Sequence, residues 1–159
     1  MQGREILRAA AISGTAASAS STLALALLAR SRGLFPAQPA NATSHWLHGD
    51  RAARVRSADL SHTAVGLLTH GAATLFWATI FEGWLGRRRV ATLPMLQHAM
   101  ALAAVAAAVD YVATPHRFTP GWELVLPKRD MAAAYVAMAL GLAAGSLAAR
   151  RPAAGRHPR

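Results

Sequence analysis

The sequence predicts an all-α polytopic membrane protein with four transmembrane helices, and three observations lead there. The 159 residues are 53% apolar and only 15% charged, well short of the ~25% charge of a water-facing domain. The apolar residues gather in four blocks, each near the length a helix needs to cross a bilayer. Arginines stand at the ends of those blocks. The mean hydropathy of +0.25 agrees, and strict two-residue alternation over ten residues is absent, which sets aside a transmembrane β-barrel.

The first block, residues 9–29, lies between Arg4/Arg8 and Arg30/Arg32. Its first half is rich in Ser, Ala and Thr, so insertion depends on Leu23, Leu25, Leu27 and Leu28, and it is the weakest of the four. Ala17-Ser18-Ala19 after a basic start resembles a signal-cleavage site, but the strongest apolar run follows that site where a signal's would precede it. A retained helix is expected. The second, third and fourth blocks run over about 63–85, 91–113 and 131–149. None has a proline deep inside, and Pro94 falls in a first turn, where a missing N–H is tolerated, so four continuous helices are expected. Together, 1–149 form one membrane domain, followed by a basic, disordered tail at 150–159.

The connections add detail. Gly86-Arg87-Arg88-Arg89-Val90 fits only a tight turn, which predicts that helices two and three are antiparallel neighbours forming a polar core. In the longer first loop, His45 to Arg56 mixes Trp46 and aliphatics with basic residues, as a short interfacial helix would, with Thr43 or Ser44 as its N-cap. The third connection holds Pro115, Pro120 and Gly121, so it turns repeatedly, and Trp122 is expected at the lipid interface. Lys and Arg number nine on the side of the termini and eight on the other. The arginines at 87–89 and 150–151 abut helix ends directly, which favours both termini in the cytoplasm.

Asn41-Ala42-Thr43-Ser44-His45-Trp46-Leu47, then Ser61-His62-Thr63-Ala64-Val65-Gly66, then Asp110-Tyr111 leading into Arg117-Phe118-Thr119-Pro120-Gly121-Trp122-Glu123, carry a likeness. Over roughly residues 36–145 the chain resembles a group of small four-helix inner-membrane proteins of proteobacteria. His48 departs from the group's pattern, where an aromatic residue is usual. The resemblance implies a bacterial inner-membrane location and transfers no chemistry, because none is established for the group.

Polar side chains inside spans are expensive and are candidates for function or packing. On helix two, His62, Gly66, His70, Thr74, Ala78 and Glu82 recur every fourth residue, a ridge of small and polar groups that should face protein. Helix three carries His98 and Asp110, the latter on the side of Ala99, Ala103, Ala106 and Ala107. Antiparallel pairing would set His62 near Asp110, and Glu82 near Arg87–Arg89 and His98. On helix four, Ala137, Gly141, Gly145 and Ala149 make a small-residue stripe suited to close packing in the bundle or in a homo-oligomer, with Leu142 expected to face lipid. Gly14, Ser18 and Thr22 form a similar ridge on helix one.

The seventeen basic residues against seven acidic ones set topology and meet anionic lipid headgroups, so nucleic acid is not an expected partner. Another membrane protein is. Without cysteine, thiolate catalysis and Cys-ligated metals are excluded. No Ser-His-acid arrangement, phosphate loop, HExxH or dinucleotide fingerprint is present, so no enzyme activity and no cofactor is expected. His45 and His48, three apart, are too weak a pattern to assign a metal. The sequence favours a scaffold, assembly or regulatory component. A transporter or proton-linked channel using His70 with Asp110 or Glu82 comes second, and a b-type haem or metal-binding subunit with His70 and His98 as ligands third.

Overall fold

A computed structural model describes residues 3–86, 88 and 90–150. Six α-helices follow one another: α1 (Gly3–Ser31), α2 (Gln38–Thr43), α3 (His45–His48), α4 (Val65–Leu85), α5 (Thr92–Ala108) and α6 (Lys128–Ala149). The described residues contain no strand. α1, α4 with the turn before it, α5 with the turn after it, and α6 are the four helices long and apolar enough to cross a membrane. The tail beyond Arg150 and two of the three turn arginines, Arg87 and Arg89, lie outside the described residues.

Two of these spans are not regular throughout. A π-helical turn at Leu60–Ala64 leads into α4, and another at Val109–Ala113 continues α5, where continuous α-helix was expected. Asp59 starts the first of them: its carboxylate accepts the backbone N–H of His62 at 2.6 Å, the bond an N-cap makes to an otherwise unpaired amide. That bond holds the Asp59 carboxyl below its usual range. The expected interfacial helix is replaced by α2, α3 and a 3₁₀ turn at Asp50–Arg54. Ser44 does sit at the N-cap position of α3, but its hydroxyl donates back to the Asn41 carbonyl at 2.7 Å and caps nothing.

The helices do not pair as the short arginine turn suggested. α1 packs most extensively on α6 and next on α4, α5 packs on α6, and α4 barely touches α5. The spatial order is therefore α4, α1, α6, α5. The least hydrophobic-looking span is the central one, because its small residues permit close approach. A Cβ on Gly141 would stand 2.5 Å from the Ala16 carbonyl oxygen, and one on Gly145 would stand 2.6 Å from Ser13 Cα. Ser20 Oγ donates across that seam to the Ala137 carbonyl at 2.7 Å. On the other face of α1, Gly14 lies against Leu75 and Ala78 of α4. These contacts fall on both sides of Ala17-Ser18-Ala19, through which α1 runs unbroken.

The ridge on α4 faces protein as expected: Gly66, His70, Thr74, Ala78 and Glu82 are buried. Its partners are α1 and α2, however, and not α5. Likewise Ala99, Ala103 and Ala106 are buried, against α6. Leu142 is 1% exposed, a correction to its lipid-facing assignment. Lying between α1 and α5, α6 buries more of its circumference than a single stripe, and Val136 and Leu140 are its exposed large apolar residues.

The ends are tied by charge. Arg32, just past α1, makes a two-point bond to Asp130 in the first turn of α6, with Nη2 to Oδ1 at 2.8 Å. This keeps the guanidinium firmly protonated and gives the fork geometry that favours Arg. At the opposite end, Arg150 Nη2 lies 2.8 Å from Oε2 of fully buried Glu82. Glu82 thus pairs with Arg150, just past α6; of the partners expected for it, Arg87 and Arg89 lie outside the described residues.

Candidate functional site: two loop motifs above a cleft

Both long connections lie at the end of the bundle marked by Arg32 and Asp130, and the two motifs singled out from sequence meet there. Each residue of the first has a defined task. Asn41, fully buried, donates through Nδ2 to the carbonyls of Val55 and Ser57, both at 2.9 Å. Its Oδ1 accepts the hydroxyl of Thr63 at 2.5 Å, so one amide binds the loop to the start of the second span. Ala42 has no exposed surface. Thr43 Oγ1 accepts the indole N–H of Trp122 at 3.1 Å. His45 Nε2 donates to the Thr119 carbonyl at 3.0 Å, and Trp46 donates to Thr69 on α4 at 3.1 Å.

Two glycines permit this docking. Gly121 has φ +78°, in the left-handed region that favours glycine, and a Cβ there would strike the Ala42 carbonyl. Gly66 lets α2 cross α4 so closely that a Cβ would collide with the carbonyl of Ala40. After Gly121 the chain turns inward, so Trp122 is only 2% exposed, packed edge-on against His70 with ring centroids 5.5 Å apart. Trp122 belongs to the core and not to the lipid interface. Arg117 is exposed and Pro120 and Glu123 are half-buried, with Glu123 accepting the hydroxyl of Thr119.

Below this roof, the gap between α4 and α5 forms a cavity of about 240 Å³. His70, Trp46, Trp77, Trp122, Asp110 and Tyr135 are among its walls. A second, mostly apolar cavity of about 230 Å³ lies on the other side of Trp122 and is also bordered by His70, together with Gly66 and Leu25. His70 Nε2 is 2.8 Å from Ser21 Oγ of α1. Ser21 Oγ also lies 2.7 Å from the Ala17 carbonyl, so a neutral His70 can donate through Nε2 while the Ser21 hydroxyl donates to Ala17. Asp110 accepts the hydroxyl of Tyr135 at 2.5 Å.

The remaining candidates are dispersed. His62 bonds Asp59 through Nδ1 at 3.2 Å and lies tilted against His48, with centroids 4.5 Å apart; it does not pair with Asp110. His98 packs against Trp84, centroids 5.0 Å apart. Trp84 is fourteen residues beyond His70 on α4, about 21 Å along the axis at ~1.5 Å per residue. The structure therefore does not bring His70 and His98 together to clamp a haem. His45, placed by the sequence at the start of an interfacial helix, is 2% exposed.

Sequence reasoning missed Asp50 and His116. Asp50 Oδ1 lies 3.3 Å from His45 Nδ1, and Asp50 Oδ2 lies 3.4 Å from His116 Nε2. The two imidazoles hold the Asp50 carboxyl below its usual range. The five-residue interval from His45 to Asp50 is no recognised spacing, and His116 is 66 residues further on, so only the fold joins them. Compared with known proteins, the chain matches no family model, no curated protein and no solved structure.

Proposed function

We propose that this chain is a non-enzymatic protein of the bacterial inner membrane, both termini cytoplasmic, acting as a regulatory or assembly component that holds a lipid-soluble, ring-bearing molecule between α4 and α5. One observation carries the reading: His70, Asp110 and Tyr135 share a cavity whose other walls include Trp46, Trp77 and Trp122. Small-molecule sites are mostly apolar with a few placed polar groups, and aromatic walls suit a planar ring, stacked or edge-on. The cavity is ring-sized and lies at a gap between spans, where a membrane-soluble ligand can approach sideways.

Transport fits less well. A proton or solute path would have to link His70 to the Glu82–Arg150 pair, yet Ala78, Phe81, Met95, Ala99 and Leu102 are buried and apolar in the core between them. The broken helices of many transporters are absent among the described spans.

The test is a fluorescence titration in mild detergent with a decyl-substituted benzoquinone, whose ring quenches tryptophan. Saturable quenching is expected, weakened at least tenfold by Ala73→Phe, which fills the cleft from an exposed position on its wall. Non-saturable quenching, equal in wild type and variant, would sink the proposal.

A further inference from the structure

We infer that the loop roof carries a site for a divalent transition-metal ion, ligated by His45 Nδ1, His116 Nε2 and the carboxylate of Asp50. The donor atoms of these three residues lie within 4.8 Å of one another. His45 Nδ1 lies 3.3 Å from Oδ1 and His116 Nε2 lies 3.4 Å from Oδ2 of Asp50, each near a tetrahedron's edge, so a small turn of the exposed carboxylate sets one oxygen against both imidazoles. With metal–nitrogen and metal–oxygen bonds of ~2.0–2.2 Å, that edge is about 3.3–3.6 Å. Imidazole and carboxylate donors suit zinc and its first-row neighbours.

A second, independent feature is the set of groups behind the ligands. Metal-binding histidines usually give their other N–H to a carbonyl or carboxylate, which fixes the tautomer and aims the free lone pair at the ion. His45 does this: a carbonyl oxygen can only accept, so Nε2 bears the proton donated to Thr119, and Nδ1, 3.3 Å from Asp50 Oδ1, is the nitrogen left to bind an ion. In the neutral imidazole Nδ1 and the Asp50 oxygen are both acceptors, and a metal ion between them takes the place a shared proton would otherwise hold. His116 also turns Nε2 toward Asp50, at 3.4 Å, and its Nδ1 lies 3.9 Å from Glu123 Oε1, too far for a hydrogen bond, so only His45 has its tautomer set from behind. His45 is buried and rigidly held, whereas His116 and Asp50 are exposed, so they can close on an ion already held by His45. Three protein donors leave a fourth position for water or an exchangeable ligand. The ion would clamp the α3 region to the α5–α6 connection, above the cleft and separate from its walls.

The experiment uses the full chain, free of any affinity histidines, in mild detergent at pH 7.5. Zinc is titrated by calorimetry, and cobalt(II) by its visible absorption. One equivalent of zinc is expected to bind, and cobalt to show the intense absorption of a four-coordinate site. His116→Ala and Asp50→Asn should each weaken binding at least tenfold. Both positions are exposed, so these variants fold where His45→Ala, which loses the bond to Thr119, need not. His48→Ala, which removes a nearby histidine bonded to the Ser61 carbonyl, should bind as wild type. Absence of one-to-one binding, or binding that survives both His116→Ala and Asp50→Asn, would overturn the assignment.

Discussion

Replacing Gly141 by leucine puts the central helix seam under the most direct strain available. Even the first added carbon would stand 2.5 Å from the Ala16 carbonyl oxygen, whereas ordinary contact begins near 3.4 Å, so α1 and α6 must part by about 0.9 Å locally. Overpacking of this kind costs ~1–3 kcal/mol. The same separation stretches the Ser20 to Ala137 bond from 2.7 Å beyond hydrogen-bonding range, and an interhelical bond in a membrane is worth ~0.6–1.7 kcal/mol. A loss of about 2–4 kcal/mol is expected. The assay is reversible unfolding in mixed micelles of mild detergent and SDS, with Leu140→Ala as the lipid-facing reference, its side chain being half exposed. Leu140→Ala should change stability by less than ~0.5 kcal/mol. Equal stability of Gly141→Leu and Leu140→Ala would refute the seam, and with it the order α4, α1, α6, α5.

His70→Gln should fold with near wild-type stability, since its amide can still donate to Ser21, while His70→Leu should lose ~0.6–1.7 kcal/mol, read in the same unfolding assay. Arg150→Ala should cost ~3–5 kcal/mol, because fully buried Glu82 would be left without its partner; Glu82→Gln in the Arg150→Ala background should restore much of it. The Asp59 carboxyl is lowered by the His62 N–H. Its contribution is therefore complete above the ordinary carboxylate range near ~4 and fades as pH falls through the lowered value. Asp59→Asn should flatten that part of an acid unfolding curve. Finally, a reporter active only in the cytoplasm should work when fused after Arg89 and after Arg151 and fail after Gly49; activity at Gly49 alone would invert the proposed orientation.

The four spans were legible because hydropathy over some twenty residues is a strong local signal. The inward-facing ridge on α4 and the stripe on α6 were legible too, since small and polar residues at four-residue spacing are wasted on lipid. Which helix each ridge meets was not. A glycine shows that a backbone comes close without saying whose, and the five-residue arginine turn constrains only where α5 starts, leaving it free to lean away toward α6. Trp122 was misplaced because aromatic residues beside a span usually mark the interface; the left-handed Gly121 that turns it inward is just a glycine in the sequence. Asp50 and His116 escaped notice for a similar reason: neither lies in a spacing pattern, and their meeting depends on Ala42 and Gly121 touching across 79 residues of chain.

The central position of α1 has a consequence for synthesis. Its main partner, α6, is the last span to be made, and the chain between the end of one and the end of the other is 118 residues long. At ~5–20 residues per second in translation, α1 waits roughly 6–24 s in the bilayer with Ser13, Ala16 and Ser20 facing no permanent neighbour on the α6 side. α4 arrives earlier and can cover Gly14, but the surface that receives Gly141 and Gly145 stays open until the final helix is released. During that interval the nascent chain presents lipid with a strip of hydroxyls and bare backbone, the kind of surface a membrane insertase or a neighbouring nascent copy would meet first.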